Sequence, residues 1–155
     1  MKRDRFGYGN DVPAFSRTDY EVGVTQLSGV ELRMAADPTQ LSIVRAVAAD
    51  IAMRQDFDLD SIEDLKLAVD ETCSTLITLA AQDAVLSCHF AVDDRGAVHV
   101  SAKVATKAAS GPDENSFGWR VLTALVDSVE TRIEEAEGSV VHIGLVKSTA
   151  GAVDA

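Results

Sequence analysis

Hydrophobic and polar residues first alternate along this chain and then recur at helical spacing. Val30, Leu32 and Met34 share one side of an extended segment, which is typical of a β-strand. Asp37 followed by Pro38 indicates a helix start, because the first turn does not need the N–H that proline lacks. Apolar residues at helical spacing then predict a helix that ends at about residue 53: Leu41, Val44, Val47, Ala48 and Ile51.

A longer helix is predicted over residues 61–80. Asp60 can cap it, and Glu63 follows three positions later, as in a variant of the capping box. Asp70 lies off the apolar stripe of this helix and is expected to face solvent or a strand edge. The stripe itself is expected to face the core: Ile62, Leu65, Val69, Thr72, Cys73, Leu76 and Leu79.

Two predicted hairpins and a short helix make up the rest of the pattern. The first hairpin turns at 93–96, the helix is capped by Ser116, and the second hairpin turns near 137–138. The order β-α-α-β-β-α-β-β keeps the helices apart from the hairpins. It predicts an α+β fold: a two-layer sandwich with a mixed, mostly antiparallel sheet and all helices on one face.

The ends of the chain lack this regular pattern. We expect residues 1–28 to form a mobile N-terminal tail and residues 148–155 a frayed C-terminal tail. Residues 29–147 are predicted to form one domain, because a segment of this length can bury a sizeable core.

The chain is strongly acidic, with a formal net charge of −11. Such a charge repels phosphate backbones, so we predict no direct nucleic-acid binding and a basic protein surface as partner. No apolar run reaches the roughly 18 residues of a membrane span, and no apolar segment follows the basic N-terminus as in a secretion signal. We therefore predict no membrane association and a cytoplasmic location.

The cysteines and histidines show no metal-ligand spacing. Cys73 and Cys88 are isolated in the sequence and fit neither a CxxC motif nor a metal cluster; they lie at positions expected to be buried, where cysteine behaves as a small hydrophobe. His89, His99 and His142 fall on separate predicted strands. No metal site is predicted from them.

Two segments carry a resemblance to a known family. LKLAVDETCSTLITLA (65–80) resembles the N box of the GHKL (Bergerat) ATPase superfamily, and within it the anti-sigma-factor serine kinases of the RsbW and SpoIIAB type. FGWRVLTALVDSVE (117–130) is similar to the last-helix segment of that family, and with LAVDETC it looks like the actinobacterial anti-sigma-F branch. The resemblance covers about residues 29–147 and implies the GHKL fold.

The resemblance also implies a nucleotide site, of which this chain keeps only part. Glu71 stands where the family places a catalytic base, and Thr75, four residues later, replaces the asparagine that binds Mg²⁺. Of the two glycines that the family places ahead of its last helix, only Gly118 remains. Lys107 and its loop can supply other donors to a phosphate. The family also has a D-x-G-x-G run, whose aspartate binds adenine. In this chain Val104, Thr106 and Ala108 stand at the positions of that aspartate and of the two glycines. We therefore predict a degenerate site, with ATP and Mg²⁺ as cofactors only if it still functions.

Two functions follow from the resemblance, and the sequence leaves both open. The first is an anti-sigma factor that sequesters an alternative, SigF-like sigma factor on a homodimer and is released by a STAS-type antagonist. Arg45, on the exposed side of the first helix, aligns with an arginine that the family uses for this contact. The second is an enzyme: an ATP- and Mg²⁺-dependent protein-serine kinase that phosphorylates the antagonist.

Overall fold

The computed structural model describes residues 29–107, 110–136 and 138–150, so the predicted N-terminal tail lies outside the described residues. The described part contains three α-helices and five strands in the predicted order. They are β1 (Val30–Ala35), α1 (Leu41–Arg54), α2 (Leu59–Leu79), β2 (Val85–Val92), β3 (Val98–Thr106), α3 (Phe117–Leu125), β4 (Ser128–Ala136) and β5 (Gly138–Lys147). A 3₁₀ turn, Pro38–Gln40, precedes α1 and is capped by Asp37.

The strands form one sheet in the order β1-β2-β3-β5-β4. All of its pairings are antiparallel, so the prediction of a mostly antiparallel sheet is confirmed and its mixed character is wrong. Cys88 pairs with Ala102, and Ala102 with Ile143; all three are buried on the helix side. The helix-free side carries the alternate residues, such as Lys103 and His142. The predicted α+β sandwich is therefore confirmed.

Helix α2 lies at the centre of the helical layer and packs against α1, α3 and β3. Its predicted stripe is confirmed, because Leu65, Val69, Cys73 and Leu76 are all fully buried. Burying such a side chain contributes roughly 1.5–3 kcal/mol, so this one face fixes how α2 is rotated about its axis.

The start of α2 differs from the prediction. Asp58, not Asp60, is the N-cap, and its carboxylate accepts hydrogen bonds from the backbone N–H and the hydroxyl of Ser61. Asp58 also accepts hydrogen bonds from Thr149 and Ala150, which belong to the predicted C-terminal tail. The hydrogen bonds from Ser61 and Thr149 lower the pKa of Asp58. Asp60 lacks these additional donors and lies in the first turn of α2.

Candidate functional site

The predicted base, Glu71, lies against the beginning of α3. Ser116 caps this helix as predicted: its hydroxyl accepts a hydrogen bond from the N–H of Trp119 at 3.1 Å. Trp119 is buried and anchors the first turn in the core. These two residues place the backbone of Gly118 directly beside the side chain of Glu71.

Glu71 lies so close to Gly118 that its carboxylate would have to move if a larger residue replaced the glycine. A Cβ atom added to Gly118 would lie 2.1 Å from Oε2 and 2.8 Å from Cδ of Glu71. The first N–H groups of a helix have no partner within the helix, and a negative charge near them is favourable. The Glu71 carboxylate thus lies against the backbone of the first turn of α3.

The remaining predicted site residues lie towards the far end of α2. Thr75 is half-buried one turn after Glu71, and its carbonyl accepts a hydrogen bond from the hydroxyl of Thr78. Lys107 directly follows β3, and its backbone N–H donates to the carbonyl of Leu79 at 3.2 Å. This bond places Lys107 beside the last turn of α2. The structure thus brings Glu71 and Gly118 into contact, and it places Thr75 further along α2 and Lys107 beside the last turn of that helix.

The position expected for an adenine-binding aspartate is part of the core. Val104 lies within β3, pairs with Val141 of β5 and is fully buried. A side chain at this position therefore faces packed apolar groups. Ala108, the last residue of the same run, lies outside the described residues.

Arg45 lies on α1 and forms an ion pair that the sequence did not reveal. Its Nη1 atom donates to Oδ1 of Asp70 on α2, and the two side chains remain 40% and 31% exposed. Asp70 therefore faces α1, and the expectation that it faces solvent or a strand edge is wrong. The only sequence signal was that Arg45 and Asp70 each lie just outside the apolar stripe of an adjacent helix.

The three histidines lie on the helix-free face of the sheet. Arg132 Nη2 is 3.2 Å from His142 Nδ1, and Glu134 Oε1 is 3.1 Å from Nε2. Because arginine only donates, Nδ1 accepts and Nε2 carries the proton, which makes the ring neutral. Burial, with the positive charges of Arg132 and Lys103, accordingly lowers the pKa of His142.

The described ranges contain neither clustered metal ligands nor a helix that could span a membrane. There, no group of three or more His, Cys, Asp or Glu residues could hold a metal ion. Both cysteines are buried as expected, and the hydrogen bond with Cys73, together with burial, raises the pKa of Cys88. No helix in the part of the chain described here is long and apolar enough to cross a membrane.

An apolar groove of about 550 Å³ runs along the outer side of α1 and reaches the start of β1. It is lined by Val30, Ile43, Ala46, Val47 and Ile51, with polar residues at its margin. Ile43 is 52% exposed although it is a large hydrophobic residue. A contiguous apolar surface of this kind is typical of a protein–protein contact.

The chain is similar to known proteins over most of its length. Residues 34–145 match the histidine kinase-like ATPase domain. The anti-sigma-F factor RsbW of Mycobacterium tuberculosis is 41% identical over 123 residues, which cover 75% of this chain and 71% of the relative. The serine-protein kinase RsbW of Bacillus cereus is 26% identical over 125 residues, 68% of this chain and 78% of that protein. The serine-protein kinase RsbW of Bacillus velezensis is 36% identical over 59 residues, 38% of this chain and 37% of that protein.

Gly118→Ala tests the contact between Glu71 and α3. Alanine is favoured over glycine in a helix by about 1 kcal/mol, but here its Cβ displaces the Glu71 carboxylate. Because the displaced atoms are the flexible end of the Glu71 side chain, we expect Gly118→Ala to raise the free energy of unfolding less in the wild-type background than in a Glu71→Ala background. The coupling between the two changes should be about 0.5–3 kcal/mol by urea denaturation.

Gly144→Ala is the matched control for this cycle. Its added Cβ would meet nothing nearer than 3.7 Å, so its effect should be the same in both backgrounds. Equal effects of Gly118→Ala in the two backgrounds would contradict the contact.

Proposed function

The chain belongs to the histidine kinase-like ATPase domain family and, within it, to the RsbW anti-sigma factors; from this premise we propose that it binds and sequesters an alternative, SigF-like sigma factor. The observation that carries the proposal is the 41% identity to an anti-sigma-F factor across 75% of the chain. An antagonist protein of the STAS type releases the sigma factor, and the exchange takes place in the cytoplasm.

The proposed contact with the sigma factor is centred on Arg45. Its side chain is 40% exposed on α1, so it can reach a partner without refolding of the domain. The net charge of −11 favours association with a protein that carries basic, DNA-binding surfaces. Arg45 then acts as a local cation within an otherwise acidic surface, where it can specify orientation as well as affinity.

We propose that the protein acts as a homodimer through the apolar groove along α1. Exposed side chains such as Ile43 and Val30 line it, and covering them with a second copy removes apolar area from water. The groove lies on the outer side of α1, away from the ion pair of Arg45 with α2. Dimerisation therefore leaves Arg45 accessible.

We propose further that sequestration does not require nucleotide, because the site is degenerate. The Glu71 carboxylate lies against Gly118, where a phosphate would meet its negative charge. Thr75 offers Mg²⁺ a short hydroxyl in place of an asparagine, and Val104 offers adenine no polar group. These residues fit ATP and its metal ion poorly.

The alternative function is a protein-serine kinase that acts on the antagonist. It is favoured by the names of the Bacillus relatives, which are serine-protein kinases, and by the retention of Glu71 at the position of a base. In that case the carboxylate has to leave Gly118 to accept a proton from the substrate serine.

Arg45→Glu should weaken binding to a sigma factor of the same organism and restore transcription that depends on it. Losing a charged contact buried in an interface costs roughly 2–5 kcal/mol, so affinity should fall at least about 30-fold. Calorimetry on the purified proteins measures it. Arg95→Glu is the control, because Arg95 is exposed in the turn between β2 and β3 and lies outside both α1 and the apolar groove. Unchanged affinity in Arg45→Glu would move the contact to another surface.

Ile43→Asp should convert the dimer into a monomer, because it places a carboxylate in the apolar groove. Analytical ultracentrifugation gives the mass of each variant. Leu67→Asp is the control, since Leu67 is 53% exposed, as Ile43 is, but lies on α2 outside the groove. A wild-type protein that sediments as a monomer at micromolar concentration would refute the dimer.

Phosphate transfer distinguishes the two functions. We expect no labelled serine when the protein is incubated with labelled ATP, Mg²⁺ and an antagonist of its own organism. ATP binding by calorimetry should be weak or absent, because each lost contact to a charged group removes roughly 1.5–3 kcal/mol. Robust phosphorylation that disappears in Glu71→Ala would establish the kinase instead.

A further inference from the structure

The ion pair between Arg45 and Asp70 joins two helices that meet through their packed faces. The residues are 25 positions apart in sequence, and α1 packs along the length of α2. The side chain of Arg45 is 40% exposed and that of Asp70 is 31% exposed. The contact is therefore tertiary, and its geometry depends on the packing of α1 against α2.

Another pair on α1 shows what distinguishes this contact. Arg54 and Asp50 are four residues apart on one helix, and their side chains are 74% and 57% exposed. Exposed pairs of that type contribute little, because water and salt screen them and both side chains stay mobile. Arg45 is paired with a residue of a second helix and is far less exposed than Arg54, so the position of its guanidinium is restricted.

The pairing leaves Arg45 able to bind a further group. A guanidinium has five N–H donors, and the bond to Asp70 uses Nη1. With 40% of the side chain exposed, the same group can also contact a partner. An arginine that is already ordered loses less conformational entropy when it binds than one that moves freely.

We propose that Asp70 is a positioning residue for the sigma-factor contact: it orders the Arg45 guanidinium on α1 before the partner arrives. This inference rests on the proposed function, because it needs Arg45 to contact the sigma factor. Asp70 itself does not touch the partner in this arrangement. It acts through Arg45, and its effect on binding disappears when Arg45 is absent.

Asp70 also connects the contact surface with the candidate nucleotide site. It directly precedes Glu71, so two adjacent carboxylates of α2 are directed to different helices, one to α1 and one to the start of α3. A rotation or shift of α2 would disturb both contacts together.

A double-mutant cycle tests the role of Asp70 with the full chain and its sigma factor. Immobilising one rotamer-rich side chain on binding reduces affinity about 3- to 10-fold, so Asp70→Ala should raise Kd by about that factor. In an Arg45→Ala background the same change should leave Kd unaltered. Asp70→Asn retains the Oδ1 acceptor and should restore part of the affinity. Glu63→Ala, which frees Lys66 on α2 and lies outside the apolar groove, is the control and should leave Kd unchanged.

The outcomes separate this inference from the proposed function. If Arg45→Ala leaves Kd unchanged, the contact itself is refuted, and the role of Asp70 with it. If Arg45→Ala weakens binding but the Asp70→Ala variant binds the sigma factor as tightly as the wild type or more tightly, only the positioning role is overturned. Melting temperatures show whether Asp70→Ala destabilises the fold. A loss of affinity caused by Asp70→Ala that persists in the Arg45→Ala background would show such a structural effect and would overturn the proposal. Asp70→Asn provides the test if Asp70→Ala does not fold.

Discussion

The burial of one face of α2 is the constraint on which the other features depend. Leu65, Val69 and Leu76 are fully buried on this face. Successive residues of an α-helix are separated by about 100° around the axis, so fixing this face also fixes the directions of the polar residues between them. Asp70 and Glu71 consequently point to opposite neighbours, α1 and α3. A rotation of α2 by one residue would bury a carboxylate in the core, which is costly without a partner.

Much of the fold was predictable because hydrophobic periodicity reports burial directly. The stripe of α2 and the two hairpins are set by local patterns, and the structure reproduces them. The cap of α2 was not predictable, because Asp58 and Asp60 are equivalent as local signals for the start of a helix. The structure favours Asp58 through Thr149 and Ala150, which are distant in sequence and invisible to a local pattern.

The candidate site was predictable as a list of residues but not as an arrangement. Family motifs select Glu71, Thr75 and Gly118, yet no motif states that the glutamate rests on the glycine. Likewise, the partner of Arg45 depends on how α1 and α2 pack, which the sequence does not specify between two amphipathic helices. Whether a retained carboxylate is a catalytic base or a fixed charge beside α3 depends on such contacts rather than on residue identity.

The hydrogen bonds between Asp58 and Thr149 have a consequence for the order in which the domain is assembled. They join residues 91 positions apart, so they form only after β5 has been synthesised. Contacts of such long sequence separation form late in folding, because closing a long loop costs entropy before any stabilisation is gained. On the ribosome, α2 can therefore be capped by Asp58 and Ser61 and pack against α1 before Thr149 and Ala150 reach Asp58. The domain acquires its full set of contacts only when the last strand emerges from the exit tunnel.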